Sequence, residues 1–535
     1  MKDRFFKSLK LSCQWLQTRI GEKVIIAVVL LTFVNQSTEI LKSGIRYNFQ
    51  SRSDFEDYYE ASKRLNANED LYRVESIQKL AKTQIQITDL TVEKLIELLF
   101  ELKATGAYLY PPFFAWVLTP LSDLQYKSAA IIYQIISISA LLLFLMFFWR
   151  LLDSRNRDEN QIENNDKNQS LSQSISRNKV ISLVIALALY SPFLSSNASN
   201  GNVGFFILLL CGVGLVWSFH VGFFSSLNIN QLKINGRKRN HVDVENQSQV
   251  DVELQANVIS GILSEFVGGF LIGVATIIKI MPAFLTGVLA AGRRYIALIG
   301  FIFGILFSVL IPATTIGFAN NLDKHRQWYS FLIESYQKYS VVRPYANNQT
   351  ISAALSKLMI SGSDQKQEKY GLPLFEVDLN HTQPLTVSIR IINLALVGSL
   401  ALLILFIWWR RPIQLKSVLT NTSFSALISV SMLTALVSSG VSWYHTYSLL
   451  LIPLTLRLSQ VTESSQSIES LFTSKNRAEQ FAYLAPAILP LVFAILPNRI
   501  YEALSLYSLY TWVACISIYL HQVSLWKYAL SSKNS

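Results

Sequence analysis

The chain has 535 residues, of which 51% are hydrophobic and only 15% charged, against roughly a quarter charged in a soluble domain. That balance excludes an ordinary soluble enzyme and points to a polytopic membrane protein. The formal net charge of +12 could suit nucleic acid, but in a membrane protein it reflects basic cytoplasmic loops.

Apolar runs of about 17 to 24 residues are too long for barrel strands. Backbone in hydrocarbon must also bond to itself, so the spans read as helices and the fold class as all-α. The three cysteines, Cys13, Cys211 and Cys515, lack CxxC or metal spacing and read as space-filling thiols. The whole chain, 1–535, reads as one integral membrane domain.

Residues 1–23 carry Lys2, Arg4, Lys7, Lys10, Arg19 and Lys23 ahead of the apolar run Val24–Val34. No small-residue cleavage site follows, so the reading is an uncleaved first helix, about 24–41, with a cytoplasmic N-terminus. Residues 42–125 form a first outer loop, in which Ser53–Arg64 and Val92–Lys103 read as amphipathic helices lying along the membrane. The apolar run starting at Tyr110-Pro111-Pro112 is about 15 residues long, short for a span. It reads as a re-entrant or surface helix.

Spans are then expected at about 126–149, 180–195, 203–224 and 257–278. The polar stretch 150–179 reads as a disordered cytoplasmic loop, and 225–256 as another cytoplasmic loop. A broken helix follows to Gly292, held inside by Arg293 and Arg294, and a span at about 295–318 leads to a second long outer loop, 320–385. Spans at about 386–409, 413–438, 444–460, 480–497 and 503–523 complete a set of about twelve, with both termini cytoplasmic. With this topology the short loops obey the positive-inside bias almost throughout.

The polar oddities then collect on the outer face: Asp54, Asp57, Tyr110, Asn202, Lys279, Asn348 and His445. Ionisable groups near the bilayer are costly and tend to be functional. Asp54-Phe55-Glu56-Asp57-Tyr58-Tyr59 offers a general base, a metal ligand or a cation site. It equally suits the solvated first turn of an amphipathic helix, where acids are favoured. Lys279, followed by Pro282, is either a lysine snorkelling to the interface or a cation for an anionic head group, aimed into a cavity by the helix break. His445 sits in an aromatic-belt segment with Trp443 and Tyr444 and could bond a phosphate or a neighbouring carbonyl. Asn348 and Thr350 are good helix caps, and Gly201-Asn202 is a plausible tight turn. No P-loop, GxGxxG, HExxH or GxSxG occurs in the sequence.

Taken in order, Asp54-Phe55 with Tyr58-Tyr59 and Leu71-Tyr72, Tyr110-Pro111-Pro112, Gly201-Asn202, Ile278-Lys279 with Pro282, Asn348-Gln349-Thr350 and Ser442-Trp443-Tyr444-His445 resemble the polyprenol-phosphate-dependent glycosyltransferases of family 87. These are membrane enzymes of the GT-C class that include α-1,2-mannosyltransferases. The resemblance covers roughly 24–460 and departs at Asn200-Gly201-Asn202-Val203, Ser439-Gly440 and Thr350.

It implies a GT-C-type helix bundle that moves a hexose, expected to be mannose, from a polyprenyl-phosphate donor to a lipid or glycan acceptor at the outer face, with inversion. Asp54 would be the catalytic acid of the first outer loop, with Asp57 its rival as base. Lys279 and His445 would bind the donor phosphate, and Tyr58, Tyr59, Tyr110, Asn202, Asn348 and Trp443 the substrates. No cofactor, no metal site and no nucleic-acid partner is expected, and divalent-metal dependence is open. The competing class is a transporter or lipid flippase, which would favour inverted repeats and mid-membrane polar residues. A non-catalytic envelope scaffold would tolerate joint loss of Asp54 and Lys279.

Overall fold

In the computed structural model the described residues are Thr38, Lys42, 53–72, 108–160, 168–219, 244–330, 346–359, 368–372, 374, 382–410, 422–463 and 477–530. The expected first span and the expected surface helix Val92–Lys103 lie outside them, apart from Thr38 and Lys42, which are helical.

Helix α1 spans Asp54–Asn66. Pro112 opens α2 (Pro112–Val117), which breaks at Leu118 before α3 (Thr119–Ser122). Pro suits a first helical position because its missing N–H has no intrahelical partner there. The long α4 (Tyr126–Asn160) and α5 (Asn168–Ser199) follow, then α6 (Gly204–Phe219) and α7 (Val244–Ile278). A 3₁₀ turn, Met281–Phe284, leads into α8 (Leu285–Ala291), then come α9 (Tyr295–Leu310), α10 (Ala313–Ile316), α11 (Phe318–Trp328) and α12 (Ile351–Met359). A further 3₁₀ turn lies at Glu368–Tyr370, ahead of α13 (Thr382–Arg410) and α14 (Thr422–Ser438). The last elements are the 3₁₀ segment Tyr444–Leu450, α15 (Leu451–Glu463), α16 (Arg477–Ile495), α17 (Asn498–Leu506) and α18 (Leu509–Leu530).

Among the described residues four helices are long and apolar enough to cross a membrane: Tyr126–Phe148, Val258–Ile278, Tyr295–Ile316 and Val387–Arg410. A fifth arises if α17 and α18, bent by 54° at Tyr507-Ser508, form one span. Five further apolar helices are shorter, including Gly204–Phe219 and Thr422–Ser438. Their positions follow the apolar runs of the sequence closely. The described residues are almost wholly helical, and the chain is an integral membrane protein. Two expectations change: of the polar stretch 150–179 the described residues are helical, because α4 runs on to Asn160 and α5 already starts at Asn168, and the end of the expected loop 225–256 is helical too, because α7 starts at Val244.

The outward faces carry Ile299, Ile302 and Leu306 on α9 and Ile391, Leu394 and Leu402 on α13, all exposed. In water such faces would be a liability; in lipid they are the solvent-facing side. At the centre stands α14, buried continuously from Ser423 to Val437. A helix buried on every face is a core helix. It touches α8, α13, α15, α18 and both 3₁₀ segments flanking the site. At its N-terminal end Ser425 meets Gln460 of α15 at 3.2 Å and Tyr483 of α16 at 3.0 Å, and the Tyr483 ring meets His521 of α18 edge-on at 4.5 Å. Four helices are thereby knotted at the end of α14 remote from residues 440–446.

Helices α7 and α9 pack backbone to backbone. A β-carbon at Gly269 would overlap the Ala297 carbonyl, and one at Gly300 would overlap the carbonyl of Phe266. Close approach through small residues is how membrane helices gain packing when lipid is as apolar as leucine. The pair is pinned by Glu265, which meets Arg294 at 3.5 Å. Gly300→Leu is therefore expected to destabilise the solubilised protein by about 1–3 kcal/mol, the usual range for overpacking, with a matching fall in thermal midpoint. Gly398→Ala on α13, where an added β-carbon meets nothing within 4 Å, should leave the midpoint unchanged or raise it.

Candidate active site

The site begins with the way α1 is started. Ser53 is extended (φ −106°, ψ 163°) and makes no side-chain cap. The Asp54 N–H instead donates to the Asn200 carbonyl at 2.8 Å, in the turn between α5 and α6. Gly201 in that turn has φ +61°, a left-handed conformation that glycine adopts without steric cost. The turn folds Asn202 back, so that its N–H reaches the Asn197 carbonyl at 3.1 Å. The Asn202 side chain is then oriented at both ends. Its Oδ1 accepts from the Gly204 N–H at 3.1 Å, and its Nδ2 donates to Asp54 Oδ2 at 2.7 Å. The amide cannot flip without losing both bonds.

Along α1 the buried residues Phe55, Tyr58, Tyr59 and Ser62 form the inward stripe, spaced as one helical face requires. Tyr58 faces the site: its hydroxyl lies 3.0 Å from that of Tyr110, with the rings edge to face at 5.2 Å. Tyr59 turns the other way, donating to the Leu124 carbonyl at 2.6 Å and packing on Phe55 and Tyr126. Its ring also lies under the Lys63 ammonium, 5.2 Å from the ring centre.

The Tyr108-Leu109-Tyr110-Pro111-Pro112 segment supplies the third side. The Tyr108 hydroxyl donates to the Pro111 carbonyl and accepts from the Ala115 N–H, both at 2.8 Å, which closes the start of α2. Tyr72 holds the Tyr110 carbonyl at 2.8 Å. Thus Tyr72 and Tyr108 fix the backbone that presents Tyr110 to Tyr58 and Asn202. Burial, with Asp54 adding, pushes the Tyr110 phenol well above its usual pKa, and Tyr58 rises for the same reasons together with Tyr110 itself. Both therefore remain neutral hydroxyls beside a carboxylate.

Lys279 supplies the opposite charge. Its N–H closes the last turn of α7 on the Ala275 carbonyl at 2.9 Å. Pro282 cannot continue an α-helix, and the chain tightens into the 3₁₀ turn. The ammonium donates to Thr446 Oγ1 at 3.2 Å. Burial lowers Lys279 to about 8, against the opposing pull of Asp54. His445 is buried next to Thr446, its Nδ1 has no hydrogen-bond partner among the described residues, and the Lys279 charge bears on it. The half-buried Trp443 lies beside it, ring centroids 6.1 Å apart.

Asn348 ties the segment 346–350 to residues 440–442. Fully buried, it accepts from the Ser442 N–H at 3.0 Å, donates to the Gly440 carbonyl at 3.4 Å and pairs as an isolated bridge with Trp443. Gln349 N–H adds a bond to the Ser442 carbonyl at 2.8 Å. The buried Lys357 ammonium gathers the carbonyls of Ala346, Asn348 and Ser505 at 3.0 to 3.3 Å. Asn348 thus positions the Trp443–Thr446 turn through backbone bonds.

Asp57, one turn beyond Asp54, acts electrostatically on Tyr110 and Tyr126. Asp54 is the acid that bonds Asn202 and acts on Lys279. The structure thereby joins Asp54, Tyr58, Tyr110, Asn202 and Lys279, with His445 alongside. It adds Thr446, which sequence reasoning missed although it follows directly on a quoted motif. Among the described residues no three His, Cys, Asp or Glu side chains converge as a metal group would need.

Because Lys279 is lowered to about 8, it is cationic below that pH and neutral above it. Anion binding through it should be fully present below about pH 8 and lost as pH rises through that value. Calorimetric titration with a short prenyl phosphate should show affinity falling above about pH 8 in the wild type. Lys279→Arg should carry binding to higher pH, since guanidinium stays charged, and Lys279→Met should weaken it throughout. Affinity independent of pH up to about 10 would contradict the assignment.

Residues 108–439 match the model of glycosyltransferase family 87. Searches of curated proteins and of solved structures returned no match. The matched region is more than half of the chain and contains Tyr110, Asn202, Lys279 and Asn348, the first three of which the fold brings round Asp54. The chain belongs to glycosyltransferase family 87 and is a membrane glycosyltransferase.

Proposed function

We propose that the protein transfers a hexose, mannose in the first instance, from a polyprenyl-phosphate donor to a hydroxyl of a lipid or glycan acceptor at the outer membrane face. The observation that carries this reading is the pairing of a carboxylate held by Asn202 with a half-buried lysine that senses it. Glycosyl transfer from a lipid phosphate needs both. A base must take the acceptor proton as the new bond forms, and a cation must meet the charge left when the phosphate departs.

In the proposed single displacement Asp54 accepts the proton of the acceptor hydroxyl. The oxygen attacks the anomeric carbon from the face opposite the phosphate, the carbon–oxygen bond to phosphate breaks, and configuration inverts. The donor is a phosphodiester with one negative charge, and its leaving group is a phosphate monoester with a second charge developing. Lys279, Thr446 and His445 meet that charge. A positioned base typically contributes about 10²–10⁴-fold, and one donor on a developing oxyanion about 3–4 kcal/mol. Tyr58 and Tyr110, kept neutral, serve as donors to sugar hydroxyls, and Trp443 as an apolar wall. Asp57 stands one turn away as the rival base.

The proposed topology has about twelve spans, both termini in the cytoplasm, and residues 150–179 and 225–256 on the inner side. A GT-C-type bundle then carries Asp54 and Lys279 at its outer face.

Membranes containing the wild type should move label from radiolabelled polyprenyl-phosphate mannose, and Asp54→Asn with equal expression should lose at least about 100-fold in rate. Full transfer by the variant would remove Asp54 as base. A topology reporter inserted at residue 165 should read cytoplasmic, and an outer location would reverse the orientation.

A further inference from the structure

One buried polar atom beside the site has no packing explanation. Tyr133 lies on α4, and its ring is fixed from three directions. It stacks on Phe55 at 4.5 Å and 28°, meets Tyr58 at 6.2 Å and Phe206 at 5.8 Å. Phe55 follows Asp54 directly in α1, so this ring and the carboxylate are carried by the same first turn. The Tyr133 hydroxyl is buried and has no hydrogen-bond partner among the described residues. Asp54 and Tyr110 both act on it electrostatically.

A buried hydroxyl without a partner costs about 1–3 kcal/mol. Phenylalanine would fill the same space with the same stacking and no such cost. A sequence selected for packing alone would not keep the oxygen, and local rules are broken chiefly where function requires it. The neighbouring phenols differ. Tyr58 and Tyr110 bond each other, and Tyr110 also bonds Asn202. Three phenols thus surround the acid, and one of them is unsatisfied among the described residues.

We infer that Tyr133 is a positioning residue for Asp54, a reserve donor that bonds the Asp54–Tyr110 pair when substrate enters and Tyr110 turns from Tyr58 to a sugar hydroxyl. Tyr133 does not touch substrate. Its O–H donates to the carboxylate, or to Tyr110 and through it, so that Asp54 stays ionised and correctly aimed while the acceptor hydroxyl approaches. Hydrogen bonding to the ionised form favours that form. This rests on the reading of Asp54 as the base.

The test is Tyr133→Phe in the purified full-length protein, beside Tyr58→Phe and Asp54→Asn. Thermal midpoint, transfer kinetics with polyprenyl-phosphate mannose, and the pH profile of kcat/KM are measured for each. For Tyr133→Phe the midpoint should be unchanged or higher, kcat should fall about tenfold with KM nearly constant, and the acidic limb should move to higher pH. Tyr58→Phe, which loses a bonded hydroxyl, should instead lower the midpoint. Wild-type kcat and pH profile in Tyr133→Phe, with Asp54→Asn inactive, would overturn this inference alone. A lowered midpoint with activity lost only in proportion to folded protein would assign Tyr133 a purely structural role and also overturn it. Undiminished transfer by Asp54→Asn would overturn the base reading and this inference together.

Discussion

The hold of the 200–202 turn on Asp54 is the contact on which the rest of the site depends. It consists of the Asp54 N–H on the Asn200 carbonyl and of Asn202 Nδ2 on Asp54 Oδ2. It joins α1 to the turn between α5 and α6, and it fixes one carboxylate oxygen. With α1 docked there, its inward stripe brings Tyr58 to Tyr110. The same turn presents Asp54 to the field of Lys279. Removing Asn202 would loosen α1 and misdirect the acid at once, a coupling that makes the two effects inseparable in a single substitution.

The second constraint is the expense of charge and open backbone in an apolar environment. Lys279 is left where α7 ends because Pro282 prevents the helix from continuing, and Thr446 Oγ1 accepts a hydrogen bond from its ammonium. Lys357 meets the same constraint by enclosure, spending its ammonium on three carbonyls. Among the described residues Lys279 meets a hydroxyl beside a carboxylate and a histidine, whereas Lys357 meets three backbone carbonyls. On the proposed reading, that difference separates a group poised for an anion from a group that holds a loop in place.

Much of the fold could be read from the sequence because apolar run length is a strong signal. The ends of Tyr126–Phe148, Val258–Ile278 and Val387–Arg410 fall within a few residues of the expected spans. Run length says less about short buried helices such as α14, which is enclosed by other helices from Ser423 to Val437. Polar composition misled at 150–179, where helices continue beyond the apolar segments. In the site, Asp54, Asn202 and Lys279 stood out because polar residues at apolar boundaries are rare. Tyr58 and Tyr59 could not be told apart, since adjacent residues on one helix differ only in the direction they face, and that is set by packing on Tyr110 and Leu124. Asn348 drew notice for its chemistry, yet its amide is taken up by the backbone of Gly440 and Ser442. Thr446 and Tyr133 were invisible because a threonine beside a histidine and a tyrosine in a span are both ordinary until their neighbours are known.

The central claim is that one site holds the base and the phosphate-binding group on opposite sides of the anomeric carbon. The most direct test is an experimental structure of the protein with a non-transferable phosphonate analogue of polyprenyl-phosphate mannose. The account predicts phosphonate oxygens within hydrogen-bonding distance of Lys279 Nζ and Thr446 Oγ1, with the anomeric carbon turned toward Asp54. A phosphonate seated away from Lys279, or a sugar whose anomeric carbon faces away from Asp54, would contradict it.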